Sequence, residues 1–110
     1  MPSDAFSDPA AEVTVVAMTF QARDPERLAG ALARYVVVAR GAPGCRNIDL
    51  CASATRPGRF LVVEKWESAA AQRVHLDADA TIALARECEG LLVEPPDIDL
   101  FDAISAYDLG

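Results

Sequence analysis

The sequence predicts a single α+β domain in which strands and helices follow the order β-α-β-β-α-β around a four-stranded antiparallel sheet. Three observations carry this. The chain has 110 residues, 52% of them hydrophobic and 25% charged, which suits one folded core and leaves no room for two. Its apolar residues fall into short β-branched or alternating runs, separated by stretches with helical periodicity. Breakers at Asp24-Pro25, Gly41 to Gly44, Arg56-Pro57-Gly58 and Pro95-Pro96 fall at the boundaries that order requires.

Residues 1–11 read as a loose arm, with Pro2, Ser3, Asp4, Ser7, Asp8 and Pro9 supplying breakers and charge. The domain proper is expected over residues 12–110. Val13 to Phe20 is apolar on both parities, as a strand buried on two faces should be. Asp24-Pro25-Glu26 then starts a helix, with an Asp N-cap, Pro at the first position and an acid in the first turn. Leu28, Leu32, Tyr35, Val36 and Ala39 form its apolar stripe, and the glycines after Arg40 stop it. Cys45 to Ala54 alternates Ile48, Leu50 and Ala52 against Asn47, Asp49 and Ser53. After the Pro57-Gly58 turn, Phe60 to Trp66 completes a hairpin. Ser68 caps a short helix through Leu76; Asp77 to Asp79 break it, and a further helix runs over 81–89. Ile98, Leu100 and Ile104 alternate with acids on the last strand.

This order is the split βαβ pattern of ferredoxin-like folds. Helices cover one face of such a sheet. The other face carries Val, Ile, Leu and Phe, and at about 25 cal/mol per Å² an open apolar face favours a partner. A homodimer joined through the sheets, a dimeric α/β barrel, is the expected assembly.

Lys and Arg total 10 against 17 Asp and Glu, a formal charge of −7. Such a chain is repelled by nucleic acid and anionic membrane. It has no apolar run of spanning length and no basic, apolar leader, so a cytoplasmic protein is expected. Cys45, Cys51 and Cys88 read as reduced, structural thiols. On a straight strand, Cys45 and Cys51 would share a face but lie roughly 20 Å apart, too far to bridge. A single His and scattered Cys give no metal-ligand spacing, and no Gly-rich phosphate loop is present. Neither metal nor organic cofactor is expected.

Pro43-Gly44-Cys45 leads into the second strand. The block Phe60-Leu61-Val62-Val63-Glu64-Lys65-Trp66-Glu67-Ser68 follows, with His75 nine residues after Trp66. A PGC turn followed by E-x-W-x8-H resembles the antibiotic biosynthesis monooxygenase family over about residues 12–105. The family includes cofactor-free quinone-forming oxygenases, haem-degrading enzymes and an isomerase. The haem-degrading pattern departs here at three positions. His75 stands for its Trp, Ala85 for its haem-ligating His, and no Asn occupies Val13 to Phe20. Trp66-Glu67-Ser68, Arg73-Val74, Ala78-Asp79 and Arg86 align best with the actinorhodin-pathway, quinone-forming branch, whose Asn and Tyr positions are Val62 and Gln72 here.

The resemblance implies oxidation of a small aromatic or polyketide-like phenol or hydroquinone by O2. It implies His75, Trp66 and Arg86 as catalytic residues, with Phe60, Val62, Glu64 and Gln72 against the substrate. The side chains suit those roles: His75 titrates near neutrality and could serve as base, or could support Cys88; Trp66 offers an aromatic wall; Arg86 could steady a phenolate. Plainer readings stand beside these. His75 can pack its helix, Trp66 can be core, Arg86 can pair with Glu89 or stay solvated, and Glu64 can pair with a basic neighbour across the sheet. A ligand-binding or stress-response module without turnover is the alternative function.

Overall fold

The computed structural model describes residues 12–106, so the proposed arm at residues 1–11 lies outside the described residues. Seven elements follow one another: β1 (Thr14–Gln21), α1 (Pro25–Ala39), β2 (Cys45–Ala52), β3 (Arg59–Trp66), α2 (Ala69–Leu76), α3 (Asp79–Glu87) and β4 (Asp97–Asp102). The strands form one antiparallel sheet in the order β2-β3-β1-β4, the ferredoxin-like arrangement the sequence predicts. The interrupted second helix is also found, with its two parts at 69–76 and 79–87. Ile104 falls beyond the last strand and is exposed.

Register assigns each strand residue a face, because antiparallel partners point the same way. Val16, Met18 and Phe20 of β1 pair with Glu64, Val62 and Phe60 of β3, which pair in turn with Ile48, Leu50 and Ala52 of β2. This face meets Leu28, Leu32, Tyr35, Val36 and Ala39 of α1, the predicted stripe, and Leu84 of α3 to form the core. Asp24 caps α1, its carboxylate accepting from the Arg27 N–H.

The opposite face carries Val15, Ala17, Leu61 and Val63, half-buried, and Phe101, which is exposed. Every residue of β4 is exposed, so Ile98 and Leu100 stay uncovered although they point to the helix side.

One expectation about the hairpin fails. The pairing shifts between Cys45 and Asn47, opposite Trp66 and Lys65, so one extra residue bulges from β2. The bulge reverses the alternation: Cys45 pairs with Trp66 on the helix side, whereas Cys51 pairs with Leu61 on the open face. The two thiols therefore share a strand but not a face. All three cysteines are free, and burial raises the thiol pKa of Cys45 and of Cys88, which favours the protonated form.

Candidate active site

The site begins with a tight approach between the β2 entry and α2. Gly44 has φ of 81°, and a Cβ there would lie 2.5 Å from that of Ala71. Only glycine admits both the left-handed backbone and the contact. Its carbonyl accepts from the Glu67 N–H at 2.8 Å, tying the end of β3 to the start of β2. Ser68 then caps α2, accepting from the Ala71 N–H at 3.1 Å. The Pro43-Gly44-Cys45 turn and the segment from Trp66 to Ser68 are thus one local structure, which sets where α2 runs and where His75 falls on its last turn. The far end of α2 is held by its neighbour: the Thr81 hydroxyl donates to the His75 carbonyl at 2.7 Å.

Four side chains converge beneath α2. His75, Glu64, Tyr35 and Trp66 are 5%, 3%, 6% and 0% exposed, so water is largely excluded from a group of polar atoms that must satisfy one another. The Tyr35 hydroxyl donates to Glu64 Oε2 and lies 2.8 Å from His75 Nε2. The Trp66 indole N–H donates to Glu64 Oε1 at 2.9 Å. The Trp66 and His75 rings pack with centroids 4.4 Å apart and planes 31° from parallel. The remaining ring nitrogen, His75 Nδ1, is buried and has no hydrogen-bond partner.

Burial dominates the electrostatics. It lowers the His75 pKa, against the attraction of Glu64. Burial, followed by repulsion from Glu64 and the hydrogen bond to it, pushes the Tyr35 hydroxyl well above the usual range. Both shifts favour neutral side chains in a dry site.

The predicted residues divide. His75, Trp66 and Glu64 come together, with Gln72 buried one turn earlier on α2. Glu64 is not paired with a basic neighbour, because its face of β3 is roofed by α1 and α2 rather than open to water. Val62 is 0% exposed within the core, where a substrate cannot touch it without displacing helices. Phe60 is half-buried at the core margin. Arg86 lies on the exposed side of α3, away from the cluster. The α3 residue that forms an ion pair is Glu87, to Arg34 at 2.6 Å, rather than Glu89 to Arg86.

Tyr35 was legible in sequence only as part of the α1 stripe. The missed signal is its hydroxyl, since a tyrosine on a core-facing stripe must find a polar partner when buried.

An apolar cleft of about 280 Å³ opens between α3, β1 and β4, lined by Met18, Phe20, Leu84, Cys88, Leu92 and Ile98 among others. Thr81, the residue bonded to the His75 carbonyl, also lines it, but His75, Trp66 and Arg86 do not. Cys88 belongs to this cleft, whereas the His75 ring faces Tyr35 and Trp66. Among the described residues no group of His, Cys, Asp and Glu could hold a metal ion, and no helix is long and apolar enough to cross a membrane.

Comparison with known proteins agrees with this architecture. Among solved structures, a protein from Shewanella oneidensis is 26% identical with a TM-score of 0.76, over 83% of this chain and 90% of that one. The Rv0793 protein of Mycobacterium tuberculosis is 22% identical with a TM-score of 0.78, over 87% and 99%. A variant of SnoaB, a cofactor-independent oxygenase from Streptomyces nogalater, is 17% identical with a TM-score of 0.77, over 86% and 96%. No curated protein matches the sequence. The family model described as antibiotic biosynthesis monooxygenase matches residues 13–87, a span that runs from the first strand through the whole Tyr35–Glu64–Trp66–His75 cluster to the end of α3. The chain belongs to the antibiotic biosynthesis monooxygenase family.

Proposed function

We propose that this protein is a cofactor-independent monooxygenase that oxidises a small phenol or anthrol to a quinone, with His75 as the base. The observation that carries the reading is the unpartnered, buried Nδ1 of His75 beside Trp66. An imidazole nitrogen with no internal partner keeps its lone pair, and a depressed pKa keeps it unprotonated at neutral pH; a phenol that reached it from the cleft, whose walls His75 does not join, would meet a base there.

Removing the phenolic proton makes the ring electron-rich enough to pass an electron to O2 directly. Recombination forms the new C–O bond. One oxygen atom becomes the second quinone carbonyl, and the other leaves as water with the hydrogens lost from the ring carbon and the hydroxyl. The substrate supplies all the electrons, so no external reductant is consumed. A hydroquinone would instead give up two electrons and release hydrogen peroxide.

The apolar cleft supports a flat aromatic ligand, although at about 280 Å³ it falls just below the usual range of small-molecule sites, roughly 300 Å³ and upward. The open sheet face supports a second copy of the chain as partner, since Val15, Ala17, Leu61, Val63 and Phe101 would otherwise remain in contact with water.

A binding module without turnover is favoured by one specific observation: the cleft walls contain neither His75 nor Arg86. Oxygen labelling separates the two. Incubation of anthrols with 18O2 and metal-free protein should give quinone carrying one labelled oxygen and no excess peroxide. Binding without conversion across the panel would establish the module instead, and quinone without label would exclude transfer of an oxygen atom from O2.

A further inference from the structure

We infer that Glu64, acting through the Tyr35 hydroxyl, decides which nitrogen of His75 is the base, and that both are positioning residues for it. That His75 is a base rests on the reading above; that its protons are ordered by Glu64 rests on the hydrogen bonds alone.

A tyrosine hydroxyl carries one proton and can donate once. Glu64 Oε2 receives that donation. The 2.8 Å contact between the hydroxyl and His75 Nε2 must then be filled by a proton on the imidazole, so Nε2 is the protonated nitrogen. Nδ1 is left with a lone pair and no internal partner. The Thr81 hydroxyl also faces Tyr35, but its one proton goes to the His75 carbonyl, so it cannot replace the imidazole as donor to the Tyr35 oxygen. Trp66 Nε1 is a donor only and is committed to Glu64 Oε1, which holds the carboxylate with Oε2 toward Tyr35. The groups whose charge bears on His75 are Tyr35 from α1, Glu64 from β3 and, facing both of these, the Cys45 thiol from β2; α3 contributes the Thr81 hydroxyl to the His75 carbonyl.

The same chain can carry a proton. When Nδ1 accepts a proton from a phenol, Nε2 can pass its own to the Tyr35 oxygen as Tyr35 passes its own to Glu64 Oε2. The balance is one proton from substrate to carboxylate: the phenol becomes a phenolate, Glu64 becomes a carboxylic acid, and His75 and Tyr35 end neutral. No isolated imidazolium is left in a site where burial disfavours one.

The chain contains one histidine, so its imidazole nitrogens can be observed without competing signals. Long-range 15N–1H spectra of protein labelled in the histidine ring report which nitrogen is protonated. Wild type at neutral pH should show the Nε2–H tautomer. Glu64→Gln should exchange the two nitrogen positions. Because the Trp66 N–H can only donate, the amide oxygen must face it and the NH2 must face Tyr35, which turns the Tyr35 hydroxyl toward Nε2 and moves the imidazole proton to Nδ1. In a Tyr35→Phe background, the same Glu64→Gln change should leave the histidine spectrum unaltered.

An Nδ1–H tautomer or a doubly protonated ring in wild type would overturn the inference, and this measurement decides even if the variants do not fold. An unaltered tautomer in folded Glu64→Gln would overturn it too. Proton order as expected, with no oxygen consumed by any phenol, would remove the proposed reaction and leave the ordering intact.

Discussion

The Tyr35 hydroxyl bridges Glu64 and His75, joining the first helix, the third strand and the end of the second helix through one oxygen atom. Removing the histidine should therefore be read as loss of a base at the end of an intact pair. General-base catalysis contributes about 10²- to 10⁴-fold. His75→Ala should lower kcat/KM by that factor while circular dichroism shows a folded domain. His75→Gln, which keeps bulk without comparable basicity, should be nearly as damaging. Steady-state kinetics on an active phenol checks both.

Trp66→Phe should act mainly on stability. The indole is fully buried, so it is not an exposed wall for substrate, and its N–H satisfies Glu64 Oε1. Leaving a buried charged acceptor short of a donor costs about 1–3 kcal/mol or more. Urea denaturation should show an unfolding free energy lower by that amount, read as a lower midpoint with an unchanged slope.

Stability should fall on mild acidification through His75. Its folded pKa is lowered, by burial first, from an ordinary value of about 6.5. As pH drops through that value, the unfolded chain takes up a proton before the folded one does, and the native state loses ground until the folded group also protonates. Between about pH 7 and about pH 5 the denaturation midpoint of wild type should fall more steeply than that of His75→Gln. Equal slopes would mean that the imidazole is not held in its neutral form.

Dimerisation through the open sheet face should give twice the 11.7 kDa chain mass by light scattering at micromolar concentration. Leu61→Asp, which places a charge on that face, should return the monomer mass and speed modification of Cys51, its partner across β2 and β3. A monomeric wild type would remove this part of the account.

The fold was legible because local signals agreed. Asp24-Pro25 capped α1, Pro57-Gly58 closed the hairpin, and Asp77 marked the break in the second helix, although α3 begins at Asp79, two residues before its predicted start at 81, and ends at Glu87 rather than Glu89. The bulge at the start of β2 was not legible, since no glycine or proline marks it, and it alone moved Cys51 to the opposite face from Cys45. In the site, His75 and Trp66 stood out as rare residue types in a recognisable block. Glu64 was visible but its partner was not, because Tyr35 lies 29 residues earlier in a stripe whose periodicity speaks only of burial. Arg86 aligned in register, yet a helical residue's direction depends on which side of α3 packs, and Leu84 is the buried residue there.

Oxygen consumption by wild type and His75→Gln, measured side by side in chelator-treated buffer over a panel of anthrols and phenols, tests the central claim most directly. Wild type should consume one O2 per quinone formed, and the variant should do so at a rate at least about 10²-fold lower. Equal rates for the two proteins, with the same dependence on pH, would contradict it.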